Sequence, residues 1–249
     1  MLPPVNQTPV PPSQRIDLRR FPFAAILFLV ALITPAFGLI PTPSITEGPF
    51  YPFNSGQRLD TRALAKAGND LTLVDGKTKR ASGTRFLLSG TLVNTSGTAI
   101  AGAKIELWEA DNNGVYYYEG SFGPPNDYAD IDPNFQHYGT TVTDSTGAWS
   151  FRTIKPGKYE GRVRHFHYKV KINGITVLTS QFMFEEDRGS FADDMVTDLL
   201  VREGTIDLAI LKPISGVDPI DDATALIAGK QIVVDRPLSV SAKIRDSSL

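Results

Sequence analysis

The sequence predicts an all-β fold, a β-sandwich of mainly antiparallel short strands with an irregular N-terminal arm and short helices. Two observations carry that prediction. From about Thr84 onward, short runs rich in apolar residues recur at regular spacing, the pattern of a sandwich or barrel whose strands share one core. Between the runs lie turn signals drawn from the chain's 21 glycines and 18 prolines. These residues punctuate regular structure because glycine reaches left-handed backbone and proline lacks a donor.

Taken in order, the chain opens with a segment unlike the rest. Residues 1–14 are proline-rich and polar, Arg15, Arg19 and Arg20 follow, and an apolar run covers 21–33 ahead of Ala36-Phe37-Gly38. A basic region, a hydrophobic core and a small-x-small site make an export signal over residues 1–38 the expectation. The Arg19-Arg20 pair is a partial match to the twin-arginine route. On this reading the protein is periplasmic or secreted. The alternative is a membrane anchor over residues 21–40, weakened as a helix by Pro22 and Pro35, and membrane contact follows only if the segment is not cleaved.

Residues 39–82 read as an irregular arm, because Ile45-Thr46-Glu47-Gly48-Pro49-Phe50-Tyr51-Pro52 is too rich in proline and glycine for a regular element. Residues 61–66 could form one or two helical turns. The sandwich is expected over 83–249. Its strands are predicted at 86–93, 103–108, 140–143, 148–154, 161–172 and 176–184, with a last one at 231–235. Turns are predicted at 94–98 and at Asp111-Asn112-Asn113-Gly114. Short helices are expected at 193–202 and 221–228.

Composition narrows the chemistry. The chain has 249 residues, enough for one sizeable domain, and no cysteine, which excludes disulfides, thiolate metal sites and a cysteine nucleophile. A net charge of −2 gives no electrostatic reason to expect nucleic acid as a partner.

Against that background Tyr159-Glu160-Gly161-Arg162-Val163-Arg164-His165-Phe166-His167 stands out, with two of the chain's three histidines. On a strand, residues i and i+2 share a face, so His165 and His167 point the same way and form half of a metal site. Tyr159 sits beyond a Pro156-Gly157 turn that could fold it back over the strand, and Tyr116 follows the Asn113-Gly114 turn. Two phenolates and two imidazoles make a hard, anionic donor set that suits ferric iron. Tyr117 competes with Tyr116 but alternates away from it. His137, the third histidine, is read as a surface or near-site residue, and Trp108 as core. Glu106 and Glu109 are read as structural.

Four segments carry a resemblance. They are Thr46-Glu47-Gly48-Pro49-Phe50-Tyr51-Pro52; Gly102-Ala103-Lys104-Ile105-Glu106-Leu107-Trp108-Glu109-Ala110-Asp111 with Gly114-Val115-Tyr116; Thr143-Asp144-Ser145-Thr146-Gly147-Ala148-Trp149-Ser150-Phe151-Arg152-Thr153-Ile154-Lys155-Pro156-Gly157-Lys158-Tyr159; and Arg162-Val163-Arg164-His165-Phe166-His167. In this order they resemble the intradiol ring-cleavage dioxygenases, the catechol and protocatechuate dioxygenase family, in a short exported form. The resemblance implies Fe(III) held by Tyr116, Tyr159, His165 and His167. It also implies an active-site arginine at Arg162, a glutamine near the substrate at Gln181, and Tyr159 as a proton acceptor. The implied reaction inserts both atoms of O2 into a catechol-type ring and yields a cis,cis-muconate-type product. Homo- and hetero-oligomers both stay open. Val163 and Arg164 replace the family's Pro-Ala, which leaves the pose of Arg162 to be found, and Arg164 is expected to be solvated or salt-bridged. Two other readings compete: a non-catalytic transthyretin-like or carbohydrate-surface binding sandwich, and a zinc hydrolase built on the two histidines.

Overall fold

The computed structural model describes residues 38–52, 68–117, 130–159 and 161–235. The expectations for residues 1–37 and for helical turns at 61–66 lie outside them. No helix among the described residues is long and apolar enough to cross a membrane.

The described residues form nine strands: β1 (Arg85–Asn94), β2 (Lys104–Trp108), β3 (Tyr138–Val142), β4 (Ala148–Ile154), β5 (His165–Ile172), β6 (Ile175–Phe184), β7 (Ile210–Leu211), β8 (Ile214–Val217) and β9 (Thr224–Val234). They make two sheets, β4-β1-β9-β8 and β3-β2-β5-β6-β7. The pairs β1–β9 and β6–β7 are parallel and the other pairings antiparallel. Among the described residues the one α-helix, α1 (Met195–Arg202), follows a 3-10 segment at Glu185–Asp193.

Alternation decides what lies between the sheets. Phe86, Leu88 and Leu92 of β1, Trp149 and Phe151 of β4, Phe166, Tyr168 and Val170 of β5, and Phe182 and Phe184 of β6 share one buried cluster. Burying each large apolar side chain is worth about 1.5–3 kcal/mol. The opposite face of β5 carries His165, His167 and Lys169, and there the arm lies down. Ile45 N donates to Thr179 O (2.9 Å), Thr42 N to Val233 O (2.9 Å) and the Gln181 amide to Thr46 O (2.8 Å). The described arm residues 39–52 lie in no helix or strand and are held through their backbone.

Three expectations need correction. The strand predicted over 161–172 begins only at His165, because Gly161 takes φ 75° and Arg162 N bonds back to Tyr159 O (3.2 Å), closing a turn. The helix predicted at 221–228 is a turn, with Asp222 at φ 53°, and then the first half of β9. There Ala225 and Ala228 are buried and pair with β1; small apolar residues had imitated helical propensity. The short strands β7 and β8 were not foreseen, and β8 is an edge strand with exposed Ile214 and Val217.

Candidate metal centre

Sheet register builds one side of the site. His167 lies opposite Trp108 on β2 and opposite Gln181 on β6. Directly opposed residues share a face, so Trp108, His167 and Gln181 form a row, with His165 two residues along. The Trp108 ring stacks on His167 at 5.0 Å and 9°, which fixes the imidazole plane.

Two loops build the other side. After β2, buried Asp111 accepts from Asn113 N (2.8 Å), Val115 N (3.0 Å) and Asp132 N (2.8 Å). This Asx-type turn swings Tyr116 over the sheet. After β4, Gly157 N donates to the Asp111 carbonyl (2.8 Å), so the loop carrying Tyr159 is bound to the loop carrying Tyr116. The two meet backbone to backbone at glycines. A Cβ at Gly157 would lie 2.3 Å from Gly114 N, and one at Gly114, where φ is 82°, would lie 2.2 Å from Lys158 O. From the arm, Phe50 stacks on Tyr116 at 4.4 Å and 18° and meets Tyr159 edge-on.

The four predicted side chains converge. Tyr159 Oη is 3.2 Å from His165 Nε2, which is 3.0 Å from His167 Nε2. His165 Nδ1 lies 2.7 Å from the Val163 carbonyl. A carbonyl can only accept, so Nδ1 carries the proton and the Nε2 lone pair faces Tyr159 and His167. Burial, reinforced by the Arg162 charge, pushes His165 down to about 3. Burial, His165 and Arg162 hold His167 far below its ordinary value, so it too is neutral. Burial raises both phenols: Tyr116 strongly, with Tyr159 adding to it, and Tyr159 against the opposing pull of Arg162. The Tyr116 hydroxyl and His167 Nδ1 are buried without a hydrogen-bond partner of ordinary geometry.

Such an arrangement suits a cation. Two imidazole lone pairs and two phenol oxygens face one point, and neutral imidazole is the ligating form. Among the described residues no group of three or more histidine, aspartate or glutamate side chains is placed to hold a metal; the converging donors here are imidazoles and phenols. Phenolate favours a hard trivalent ion. The residues fit ferric iron.

Arg162 and Gln181 adjoin this point. Arg162 Nη2 donates to Gln181 Oε1 (2.6 Å) and Nε to Asp194 Oδ2 (2.9 Å). Burial opposes the Asp194 charge, yet Arg162 and the backbone N–H groups of Val163 and Val196 hold its carboxyl below the usual range. Tyr117 is 53% exposed, turned away as its alternation implies. His137 is not at the surface: it is buried against Phe135 and Tyr117 and is not one of the four converging side chains. Arg164 pairs with Asp187 (2.9 Å) and Glu186 (3.3 Å). Sequence reasoning missed Asp194. Its only signal was an N-cap residue at the head of a predicted helix.

A family model described as dioxygenase matches residues 59–213, more than half of the chain. The chain is 28% identical over 132 residues to a hydroxyquinol 1,2-dioxygenase of Rhizobium sp. (strain MTP-10005), covering 46% of this chain and 40% of that protein. It is 29% identical over 114 residues to the protocatechuate 3,4-dioxygenase beta chain of Burkholderia cepacia, covering 43% and 47%. The chain therefore spans about half the length of the curated relatives it matches. Its fold is that of an intradiol ring-cleavage dioxygenase from Tetranychus urticae, with a TM-score of 0.55 at 20% identity over 79% of this chain and 94% of that one. A β-sandwich with two imidazoles and two phenols gathered on the outer face of one sheet defines the class. The chain belongs to the intradiol ring-cleavage dioxygenase family.

Proposed function

We propose that this chain is an Fe(III)-dependent intradiol dioxygenase. It would insert both atoms of O2 into a catechol-type ring and release a cis,cis-muconate-type product. The convergence of Tyr116, Tyr159, His165 and His167 on one buried point carries the proposal. These four side chains would hold the ferric ion, which would supply Lewis acidity toward the catechol oxygens. The rest is the work of this chain's own residues.

Tyr159 accepts a catechol proton at Oη. Its placement beside Arg162 favours the phenolate it must present, against the burial that opposes it. Arg162, with fixed charge and rigid donors, stabilises the anionic, ketonised form of the ring, and Gln181 orients it through Nη2. Phe50 and Trp108 wall the site and hold the Tyr116 and His167 rings, which limits water around the reacting ring. The relatives named for hydroxyquinol and protocatechuate point to substituted catechols as the substrate class.

The test is oxygen uptake by the purified, iron-loaded protein across catechol, hydroxyquinol and protocatechuate, with the visible spectrum recorded beforehand. Uptake with a ring-opened product, and a red tyrosinate-to-iron band, are expected. A colourless protein that consumes no oxygen with any of the three would instead be a non-catalytic sandwich module.

A further inference from the structure

The backbone N–H of Val163 exists only because this position is not proline, and it is used. It donates to Asp194 Oδ2 (2.9 Å), the same oxygen that accepts from Arg162 Nε (2.9 Å). The other oxygen, Oδ1, accepts from Val196 N (2.9 Å) and Thr197 N (3.2 Å) and caps α1. One carboxylate, on a side chain only 2% exposed, thus takes four donors, and the Arg162 side chain it grips is 14% exposed. At the far side of the guanidinium, Gln181 accepts from Nη2 and is itself tied to the arm at Thr46 O. A planar group held at Nε and at Nη2 cannot turn about its own stem. The following residue is held in the same way, with Arg164 N reaching Asp187 Oδ2 (3.3 Å) and its Nη1 reaching Oδ1 (2.9 Å).

We infer that Asp194 is the positioning residue of the active site, fixing Arg162 toward the substrate by joining its guanidinium, the Val163 backbone and the start of α1 in one carboxylate. The inference rests on the function proposed above. Asp194 does not touch the reacting ring; it acts through Arg162. It also links the pose of the arginine to a helix outside the sandwich.

Asp194→Ser separates capping from positioning. Serine caps a helix about as well as aspartate, but its hydroxyl is too short to reach the guanidinium. In the iron-loaded, full-length protein, kcat for ring cleavage is expected to fall about ten- to hundred-fold, the scale of a misplaced catalytic group, with KM changed less. The same substitution made on top of Arg162→Ala should cost nothing further. Asp194→Asn keeps a single acceptor oxygen, enough for the cap or for the guanidinium but not for both, so it should not restore wild-type kcat. A readout independent of turnover is phenylglyoxal modification mapped by peptide mass spectrometry. Arg162 should react several-fold faster in Asp194→Ser than in wild type, while exposed Arg202 reacts equally in both. Unchanged Arg162 labelling, or a loss of kcat that persists in the Arg162→Ala background, overturns the inference. Faster Arg162 labelling in a protein that cleaves no catechol upholds the clamp and overturns the catalytic reading alone.

Discussion

The Tyr159 hydroxyl faces two demands at once. Its oxygen sits 3.2 Å from His165 Nε2, among the four converging side chains, and the Arg162 charge beside it favours its ionised form against burial. A group that can both bind a cation and exchange a proton should lose these roles unequally when its oxygen is removed. Tyr159→Phe keeps the ring, hence its edge contacts with Phe50 and Tyr116, and leaves three donors in place. We expect iron content to stay near stoichiometric while kcat falls on the order of a hundred-fold or more, the scale of a lost proton acceptor. Metal analysis and oxygen uptake on the same samples decide this, and equal losses of iron and activity would refute the role. At this scale the sequence was a good guide. His165 and His167 could be read from strand alternation, and Tyr116 and Tyr159 from the turns that precede them, whereas Arg162 and Gln181 entered only through the resemblance. Asp194 was not legible, since its two bonds to Arg162 and Val163 span about thirty residues and no local pattern announces them.

Elements place these side chains through backbone closeness that side-chain chemistry cannot supply. The loop after β2 and the loop after β4 touch at Gly114 and Gly157, and neither tolerates a Cβ. Gly157→Ala should force the loops apart, destabilising the fold by about 1–3 kcal/mol as overpacking typically does. Because one loop carries Tyr116 and the other Tyr159, the tyrosinate-to-iron band should also shift or weaken. A denaturant midpoint and a visible spectrum measure the two effects. Gly174→Ala, where no atom lies within 4 Å but φ is 76°, provides the comparison for backbone strain alone. An unchanged midpoint in Gly157→Ala would show that the loops are not held by that approach. Strands were legible where apolar runs bounded by turn signals met the core, as in β4 and β6, although both bury residues on consecutive positions toward their ends. What escaped was structure decided by partners. β9 is a strand because ten residues of β1 lie alongside it, although Asp221-Asp222-Ala223-Thr224-Ala225-Leu226 looks helical in isolation. β7 is too short to show a period.

Across the whole molecule, all three histidines are buried and neutral, and this makes stability depend on pH. His137 isolates the effect because it is not one of the four converging side chains. Burial pushes it down to about 4, against the opposing pull of the Glu109 carbonyl and of Asp132. In the unfolded chain a histidine takes up its proton near pH 6.5. Between these values the unfolded state binds more protons than the native state, so native stability falls as pH falls. By pH 4 the loss attributable to His137 is about 3 kcal/mol. Carboxylates with depressed values, such as Asp70, Asp132 and Asp194, add a second loss only below their ordinary range near pH 4. Glu109 acts with the opposite sign. Burial holds it protonated, so acidification removes a cost rather than adding one. The total curve therefore mixes opposing contributions, and only a difference is diagnostic. His137→Asn is the suitable variant, because φ at this position is 58° and asparagine is among the few residues at ease there. Thermal midpoints of wild type and His137→Asn should run parallel above pH 7 and diverge in favour of the variant down to pH 4. Parallel curves over the whole range would mean that His137 is charged in the native protein or does not titrate there.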